Sequence, residues 1–238
     1  MKVSVICVFN NPEQLSKQLI NSLNRQDVKF EIIKVDGRCN RYKSAAQALN
    51  YGASVAKGDV LIFSHQDIVI EEADGLKRIA NFIHEKPIGS VIGVAGAIEG
   101  NRRNKGNYIS GNDTPERIKN PVTASTVDEC FFGMRRDTYE LHHFDEFLCD
   151  DWHLYAVEQC LYHRKDSKIY IYPIKVHHYS PGKISLKYMD GLIKLADHYH
   201  GNYKYIWTTC YKIKSNPLTC RLLRNAWLIN RIVRRKGY

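Results

Sequence analysis

The chain has 238 residues, 44% of them hydrophobic, so it can bury a sizeable core, and we expect one large domain. Lysine and arginine (35) outnumber aspartate and glutamate (25), and the net charge of +10 favours phosphates, nucleic acid or an anionic membrane surface as partners. The absence of a bilayer-spanning apolar run, of a secretory leader and of any C-x-x-C pair among seven cysteines predicts a soluble cytoplasmic protein without a disulfide framework or zinc ribbon.

Strands and helices are predicted to alternate over the first half of the chain. The predicted strands are Val3–Phe9, Phe30–Val35, Val60–Phe63 and Val91–Ile98. Three helices are predicted: one that begins after the N-cap Asn11, one that includes Ala45–Ala53, and one over Glu72–His84. Gly58 is predicted to be a left-handed cap after the second of these helices. This alternation predicts an α/β fold in which helices cover both faces of a mostly parallel central sheet.

The second half has a less regular pattern. Gly100–Pro121 is rich in Asn, Gly, Arg and Lys, which predicts a long mobile loop over the sheet edge that could act as a lid. Strands are predicted from Val127 and over Ile169–Val176. A helix is predicted over Asp151–Tyr162, with its first carboxylate as the N-cap.

The chain ends with two predicted helices, Ile184–His200 and Pro217–Lys236. The last helix carries five arginines and has an apolar face, formed by Leu222, Ala226, Ile229 and Val233. Such a helix can rest on anionic lipid, or it can dock on the core and expose its basic face to solvent. The sequence leaves both interpretations open.

Polar side chains follow three predicted strands where each strand ends: Asp36, His65-x-Asp67 and His177-His178. Ligands of open α/β sheets bind outside the carboxyl ends of the strands, so these side chains are expected at one site, although Ser-His-Gln-Asp and Asp-Gly are also ordinary turn sequences. A carboxylate with an imidazole suits Mn²⁺ better than Mg²⁺, and such a cation neutralises a nucleotide diphosphate. No dinucleotide fingerprint or Walker loop is present.

These segments resemble the nucleotide-diphospho-sugar glycosyltransferases of the GT-A fold, in particular inverting family 2. The similar segments are V-S-V-I-C-V-F-N-N, Asp36, A-L-N-Y-G-A-S-V-A-K-G-D-V-L-I-F with H-Q-D, F-F-G-M-R-R and H-H-Y-S. The resemblance implies a Rossmann-like α/β/α sandwich over residues 1–180 and a C-terminal helical extension over residues 181–238. It also implies donor-binding positions, which are Phe9, Asn10, Asp36, Asn50, His65 and Asp128. Asp128 and its neighbour Glu129 are acids on the acceptor-side strand, where they could bind sugar hydroxyls or be surface residues.

The resemblance further implies a metal site and a general base. The family's Asp-x-Asp motif has His65 in its first position here and retains Asp67, and a late histidine, His178 or His177, completes the metal site. The base of the family is the aspartate of an acidic pair that opens a helix, which corresponds to Asp151. Alignment on the following strand instead leaves Glu158 as the nearby acid, so both acids stay candidates.

The activity implied by the resemblance is transfer of a sugar, with inversion, from a nucleotide-diphosphate donor, with uridine as the expected base. The acceptor is expected to be a saccharide or a lipid-linked saccharide in surface polysaccharide synthesis, at the inner face of the plasma membrane if the last helix binds lipid. The altered H-Q-D motif leaves open a weakened relative that binds nucleotide sugar or glycan without turnover. A nucleic-acid partner is not expected, because the charge is spread along the chain and no such motif occurs.

Overall fold

The computed structural model describes residues 1–110, 115–179 and 184–236. The strands are β1 (Val3–Phe9), β2 (Glu31–Asp36), β3 (Val60–Ser64), β4 (Ile68–Ile70), β5 (Val91–Gly93), β6 (Ala95–Ala97), β7 (Lys105–Gly106), β8 (Tyr108–Ser110), β9 (Val122–Ala124), β10 (Thr126–Val127), β11 (Phe131–Arg135), β12 (Ile169–Ile171), β13 (Val176–His178), β14 (Tyr205–Trp207) and β15 (Lys212–Lys214). The first helical stretch is α1 (Pro12–Leu15), a π-helical turn (Ser16–Ile20) and α2 (Asn21–Leu23). The other helices are α3 (Ala45–Val55), α4 (Gly75–Glu85), α5 (Arg136–Leu141), α6 (Tyr155–His163), α7 (Leu186–His198) and α8 (Pro217–Lys236).

Within the described ranges, seven strands form the central sheet, in the order β2-β1-β3-β11-β5-β12-β9. β1 pairs in parallel with β2 and β3, and β12 pairs in parallel with β5. In contrast, β11 is antiparallel to β3 and β5, and β9 is antiparallel to β12. The α/β class is confirmed, and the sheet is mixed because β9 and β11 run in the direction opposite to the other five strands.

Helices cover both faces of this sheet, because the side chains of each central strand alternate between two apolar clusters. Ile6 of β1 and Phe63 of β3 belong to the cluster that includes buried residues of α3, α6 and α7. Val5 of β1 and Ile62 of β3 belong to the other cluster, with buried residues of α4 and of the first helical stretch. The result is the α/β/α sandwich that the sequence predicts.

Several helix boundaries differ from their predictions. Asn11 caps α1 as expected, since its side chain accepts a hydrogen bond from the backbone of Gln14. The helix predicted from Asp151 begins only at Tyr155, because the backbone of Leu154 is left-handed and interrupts the helical path. Gly58 is not left-handed, and its role is instead a close approach to β1, where its backbone N–H donates to Ser4 Oγ at 2.7 Å.

The segment predicted as a long loop, Gly100–Pro121, contains two short strands. β7 pairs with β6, and β8 pairs in parallel with β13, so this part of the chain is fixed to its neighbours by backbone hydrogen bonds. Polar composition predicted a loop here, but tertiary pairing overrides that local tendency. Residues 111–114 of the predicted lid lie outside the described residues.

The C-terminal segment packs on the same core. Met189 and Leu192 of α7 are buried in the cluster that contains Phe63, and β14 and β15 form a separate two-stranded sheet. α8 lies against α7, where Arg224 pairs with Asp190. The predicted boundary between residues 180 and 181 lies outside the described residues, so the two-part division stays a prediction. None of the helices within the described ranges is both long and apolar enough to cross a bilayer.

The close approach at Gly58 yields a stability prediction. In Gly58→Ala a Cβ would lie 2.5 Å from Ser4 Oγ and 2.6 Å from the Ser4 backbone nitrogen. β1 cannot move away because it is paired on both sides, so we expect the free energy of unfolding to fall by about 2 kcal/mol or more. Denaturation by urea measures this change. Val55→Ala, at a residue that is 44% exposed on α3, is the control and should change stability by less than about 0.5 kcal/mol. An equally small effect of Gly58→Ala would contradict the packing argument.

Candidate active site

A cavity of about 520 Å³ opens at the carboxyl ends of β1 and β3. Its wall is formed by the ends of these strands, by Gly37 after β2, by one side of α3, by His178 of β13, and by the segment that precedes α6. The residues contributed by that segment are Trp152, His153 and Tyr155. This is the edge of an α/β sheet at which ligands bind, so the cavity is the candidate functional site.

Three side chains that can bind a metal converge in this cavity. The nearest atoms of His65, Asp67 and His178 all lie within 4.8 Å of one another. His65 Nδ1 is 3.3 Å from His178 Nε2, and His178 Nε2 is 3.4 Å from Asp67 Oδ1. The H-Q-D segment and the late histidine, both identified from the sequence, therefore meet in the structure.

The outward-facing ring nitrogens of this cluster have partners of their own. His65 Nε2 is hydrogen-bonded to the hydroxyl of Tyr155 at 3.0 Å, and His178 Nδ1 to Ser110 Oγ at 3.3 Å. Such outer partners fix the orientation of an imidazole and determine which nitrogen is available inside the site. The arrangement leaves Nδ1 of His65 and Nε2 of His178 directed toward each other and toward Asp67.

Burial and neighbouring charges set the protonation states of the cluster. Burial, with the charge of His178, lowers the pKa of His65 to about 4, so this imidazole is neutral at neutral pH. Burial acts to raise the pKa of Asp67, but its hydrogen bond with His178 and the charges of both histidines bring that pKa below its ordinary value. A neutral imidazole and an ionised carboxylate are the forms that bind a cation.

Gln66, which lies between His65 and Asp67, connects the cluster to the end of β1. Its Oε1 accepts hydrogen bonds from the backbone N–H groups of Asn10 (3.0 Å) and Asn11 (2.9 Å), and its Nε2 donates to Asn10 Oδ1 at 2.8 Å. Gln66 is not among the residues predicted from the sequence, because the middle position of an Asp-x-Asp-like motif carries no assigned role. The polar residue in that position was the signal that could have identified it.

The opposite wall of the cavity is apolar and aromatic. Phe9 and Trp152 both line it, and an added Cβ on Gly37 would lie 3.4 Å from the Trp152 ring. Arg38 lies over the Phe9 ring at 5.7 Å and makes hydrogen bonds of 2.9 and 2.6 Å to the carboxylate of Asp36. These bonds lower the pKa of Asp36 to about 2. Phe9 and Asn10 are thus on the cavity wall, and the predicted donor ligand Asp36 is engaged by Arg38 beside it.

Three residues predicted for the site are not brought to it. Asn50 is bound to the hydroxyl of Tyr139 and to the backbone of Phe144, so its amide serves the packing of α3. His177 is next to His178 on β13, so its side chain lies on the opposite face of the strand. There it stacks on Tyr179, with 3.9 Å between ring centroids. Glu158 is 1% exposed and binds His142 and Tyr199 away from the cavity.

Two further predicted acids lie beside the cavity and have partners. The carboxylate of Asp151 is 3.1 Å from Lys187 Nζ, and its backbone oxygen accepts from the N–H of Ala45, which lines the cavity. Asp128 accepts hydrogen bonds from the backbone N–H of Cys130 (3.0 Å) and from Thr209 Oγ1 (2.7 Å). The charge of Asp128 also acts on His65 and raises its pKa against the larger effect of burial.

Comparison with solved structures identifies the fold. The chain is similar to GalNAc-T7, crystallised with UDP, GalNAc and Mn²⁺, with a TM-score of 0.60 and 14% identity over 81% of this chain and 47% of that one. It is also similar to Staphylococcus aureus TarS 1-349 in complex with UDP-GlcNAc, with a TM-score of 0.58 and 17% identity over 84% of this chain and 67% of that one. The chain thus spans about half of the GalNAc-T7 structure and two thirds of that of TarS 1-349. No curated protein matches the chain.

The layers and the central sheet are those of the GT-A glycosyltransferase fold, and the expected fold is confirmed. A family model described as a glycosyltransferase-like family matches residues 4–180. This match covers well over half of the sequence, so the chain belongs to that family.

Proposed function

We propose that the protein is a metal-dependent glycosyltransferase that uses a nucleotide-diphosphate sugar, with a UDP-sugar as the donor. The observation that carries this proposal is the cluster of His65, Asp67 and His178 in a cavity at the carboxyl ends of β1 and β3. The similar structures support the donor class, since GalNAc-T7 was crystallised with UDP and Mn²⁺ and TarS with UDP-GlcNAc. Membership of the glycosyltransferase-like family supports the reaction class.

The residues present fit a divalent cation. If His65 presents the lone pair of Nδ1 and His178 that of Nε2, the other ring nitrogens carry protons that Tyr155 and Ser110 can accept. Two imidazole nitrogens and a carboxylate oxygen form a mixed donor set, which suits Mn²⁺ better than Mg²⁺. The bound cation supplies positive charge that stabilises the departing diphosphate.

The rest of the cavity fits the nucleoside part of the donor. Phe9 and Trp152 offer apolar ring surface for a base, and Asn10, held by Gln66, offers polar groups at the same end. Asp36 is the proposed acceptor of ribose hydrogen bonds, for which its Oδ2 keeps a lone pair because it accepts one hydrogen bond from Arg38 Nη2. Asp128, beside the cluster, is proposed to contact the transferred sugar.

The proposal also includes the acceptor and the stereochemistry of the transfer. We expect transfer with inversion to a saccharide or a lipid-linked saccharide, and the family resemblance supports a surface polysaccharide as the product. Inversion in one step needs a base beside the acceptor hydroxyl. Asp151 is the acid next to the cavity and remains part of the proposed acceptor side, whereas the buried position of Glu158 does not support a catalytic role.

A weakened relative that binds nucleotide sugar without turnover is the second candidate function. It is favoured by His65 in place of the first aspartate and by the ion pair of Asp151 with Lys187. Release of UDP from UDP-sugars in the presence of Mn²⁺ separates the two functions, because a pure binder releases none.

The metal site gives the first test of function, measured as the thermal shift of the whole chain with UDP-GlcNAc and other UDP-sugars. A ligand at about 100 times its Kd, with Mn²⁺ present, is expected to raise Tm by on the order of 5 to 10 °C. His178→Ala removes an imidazole from the cluster, so a 100-fold loss of affinity would leave a shift of about 1 °C. His177→Ala is the matched control, because the neighbouring imidazole faces away, and it should keep the full shift.

Two results would contradict this assignment. A full Mn²⁺-dependent shift in both His178→Ala and Asp67→Asn would exclude the cluster as the metal site. If His177→Ala and His178→Ala lose the thermal shift equally, the shift depends on the integrity of β13 and not on the imidazole of His178 as a metal ligand.

We also propose that α8 binds an anionic membrane surface at the inner face of the plasma membrane. Leu218, Leu222 and Ile229 lie on one face of this helix at spacings of four and seven residues and are 65%, 61% and 60% exposed. The helix sequence contains six lysines and arginines and no acidic residue. Exposed apolar side chains on a helix rich in arginine and without acidic residues are the features of an interfacial helix that binds anionic lipid.

Vesicle sedimentation with the whole chain tests this proposal. Binding is expected to vesicles that contain phosphatidylglycerol, to be weaker with phosphatidylcholine alone, and to fall with added salt. Leu222→Ser should reduce binding by roughly tenfold, since it removes most of one buried leucine. Leu141→Ser, at a residue of α5 that is 59% exposed, is the matched control and should bind like the wild type. Equal binding of Leu222→Ser and the wild type would exclude α8 as the lipid-binding surface.

A further inference from the structure

The segment before α6 contains a backbone conformation that is unusual for its residue. Leu154 has φ 71° and ψ 2°, in the left-handed region where a bulky side chain is strained. Its side chain is 2% exposed and packs against Gly191 of α7, where an added Cβ would lie 2.9 Å from Leu154 Cδ1. The residues on either side, His153 and Tyr155, both line the cavity. The surrounding structure thus retains a strained residue between two side chains that face the site.

His153 is backed by a buried carboxylate. Glu129 Oε2 is 3.7 Å from His153 Nδ1, and the side chain of Glu129 is 15% exposed. Its other oxygen, Oε1, is buried without a hydrogen-bond partner in the part of the chain that the structure describes. Burial of a carboxylate costs free energy and raises the pKa of Glu129, while the charge of His153 acts to lower it, so the two side chains depend on each other. With Nδ1 directed at Glu129, the ring nitrogen available to the cavity is Nε2.

The charges around His153 favour its protonated form. The carboxylate of Glu129, 3.7 Å away, raises the pKa of His153 above its ordinary value, with a smaller contribution from Asp151, while burial acts in the opposite direction. The groups that face the ring are Glu129 from the segment before β11, Asp151 with its partner Lys187, Tyr188 of α7 and His65 at the end of β3. This environment makes the imidazole a stronger base than a free histidine.

We propose that His153, oriented by Glu129, accepts the proton of the acceptor hydroxyl in the transfer reaction, an inference that rests on the glycosyltransferase function proposed above. As the acceptor oxygen bonds to the anomeric carbon, its proton moves to Nε2 of His153. The bond between that carbon and the donor phosphate oxygen breaks, and the nucleoside diphosphate leaves with the electron pair. Burial raises the pKa of Glu129, and the charge of the imidazolium favours its ionised form in return, so the two groups stabilise each other as an ion pair.

This assignment gives the predicted acid Asp151 an indirect role. Its carboxylate is paired with Lys187 and is not part of the cavity wall, whereas the ring of His153, two residues later, is. The negative charge of Asp151 acts on His153 and favours its protonation. Asp151 therefore supports the imidazolium and does not take the proton itself.

Variants of both members of the pair test the proposal, with UDP release from the UDP-sugar that gives the largest thermal shift as the assay. His153→Gln is expected to lower kcat by about 10² to 10⁴. It should also remove the decline of activity at low pH that protonation of the base causes. Glu129→Gln should move that decline to lower pH, because the carboxylate that raises the pKa of His153 is gone. Added imidazole is expected to restore part of the activity of His153→Ala, because it can replace the missing base. A variant that is inactive only because its structure is damaged would not recover in this way.

Two controls separate chemistry from folding and from donor binding. The Mn²⁺-dependent thermal shift with the UDP-sugar should be retained in His153→Gln and Glu129→Gln, since neither residue belongs to the metal cluster. His143→Gln changes an exposed histidine that pairs with Glu140 at 3.1 Å outside the cavity, and it should keep the wild-type rate and pH profile.

The outcomes are distinguishable. If His153→Gln keeps the wild-type rate and its decline at low pH, or if Asp151→Asn alone removes that decline, the proton does not go to His153 and the inference is overturned. If the wild type releases no UDP from any UDP-sugar although it binds one with Mn²⁺, the proposed transferase function fails, and this inference fails with it.

Discussion

The pairing of β13 with β4 is the interaction on which the candidate site depends. It places His178 opposite Ile68, the residue that follows Asp67, and so brings His178 to His65 across 113 residues of sequence. Both strands have only three residues, and β8 supports β13 from its other side. Without this pairing the end of β3 would lead into an ordinary polar turn. With it, the same residues become part of a buried cluster.

That cluster belongs to a continuous chain of polar side chains. Tyr155 binds His65, His65 approaches His178, and His178 binds Ser110. Buried polar groups cost free energy unless each has a partner, and a satisfied network fixes the orientation of its members. The proposed acceptor side has the opposite character, because Glu129 has an oxygen with no hydrogen-bond partner among the described residues and Leu154 has a strained backbone. On the cluster side of the cavity the outer ring nitrogens of the histidines therefore have hydrogen-bond partners, whereas the acceptor side has a strained backbone at Leu154.

The sequence predicted the layered fold because the first strands and helices have strong, regular apolar patterns. It also predicted that His65, Asp67 and one of two adjacent histidines meet, since strand ends in such folds converge. It could not choose between His177 and His178, because neighbouring residues of a strand face opposite sides and the register of a three-residue strand is set by its partners. It placed Trp152, His153 and Tyr155 inside a helix, because leucine gives no local signal for the left-handed conformation that Leu154 adopts.

Gln66 has a consequence beyond its own contacts. The residue lies between His65 and Asp67, which belong to the proposed metal site, and it binds two backbone N–H groups at the end of β1, where the nucleoside is proposed to lie. The parts of the cavity that would receive the diphosphate and the base are thus connected by one amide. A donor that enters such a preorganised site does not need to order these segments on arrival, so less of its binding free energy is lost as conformational entropy.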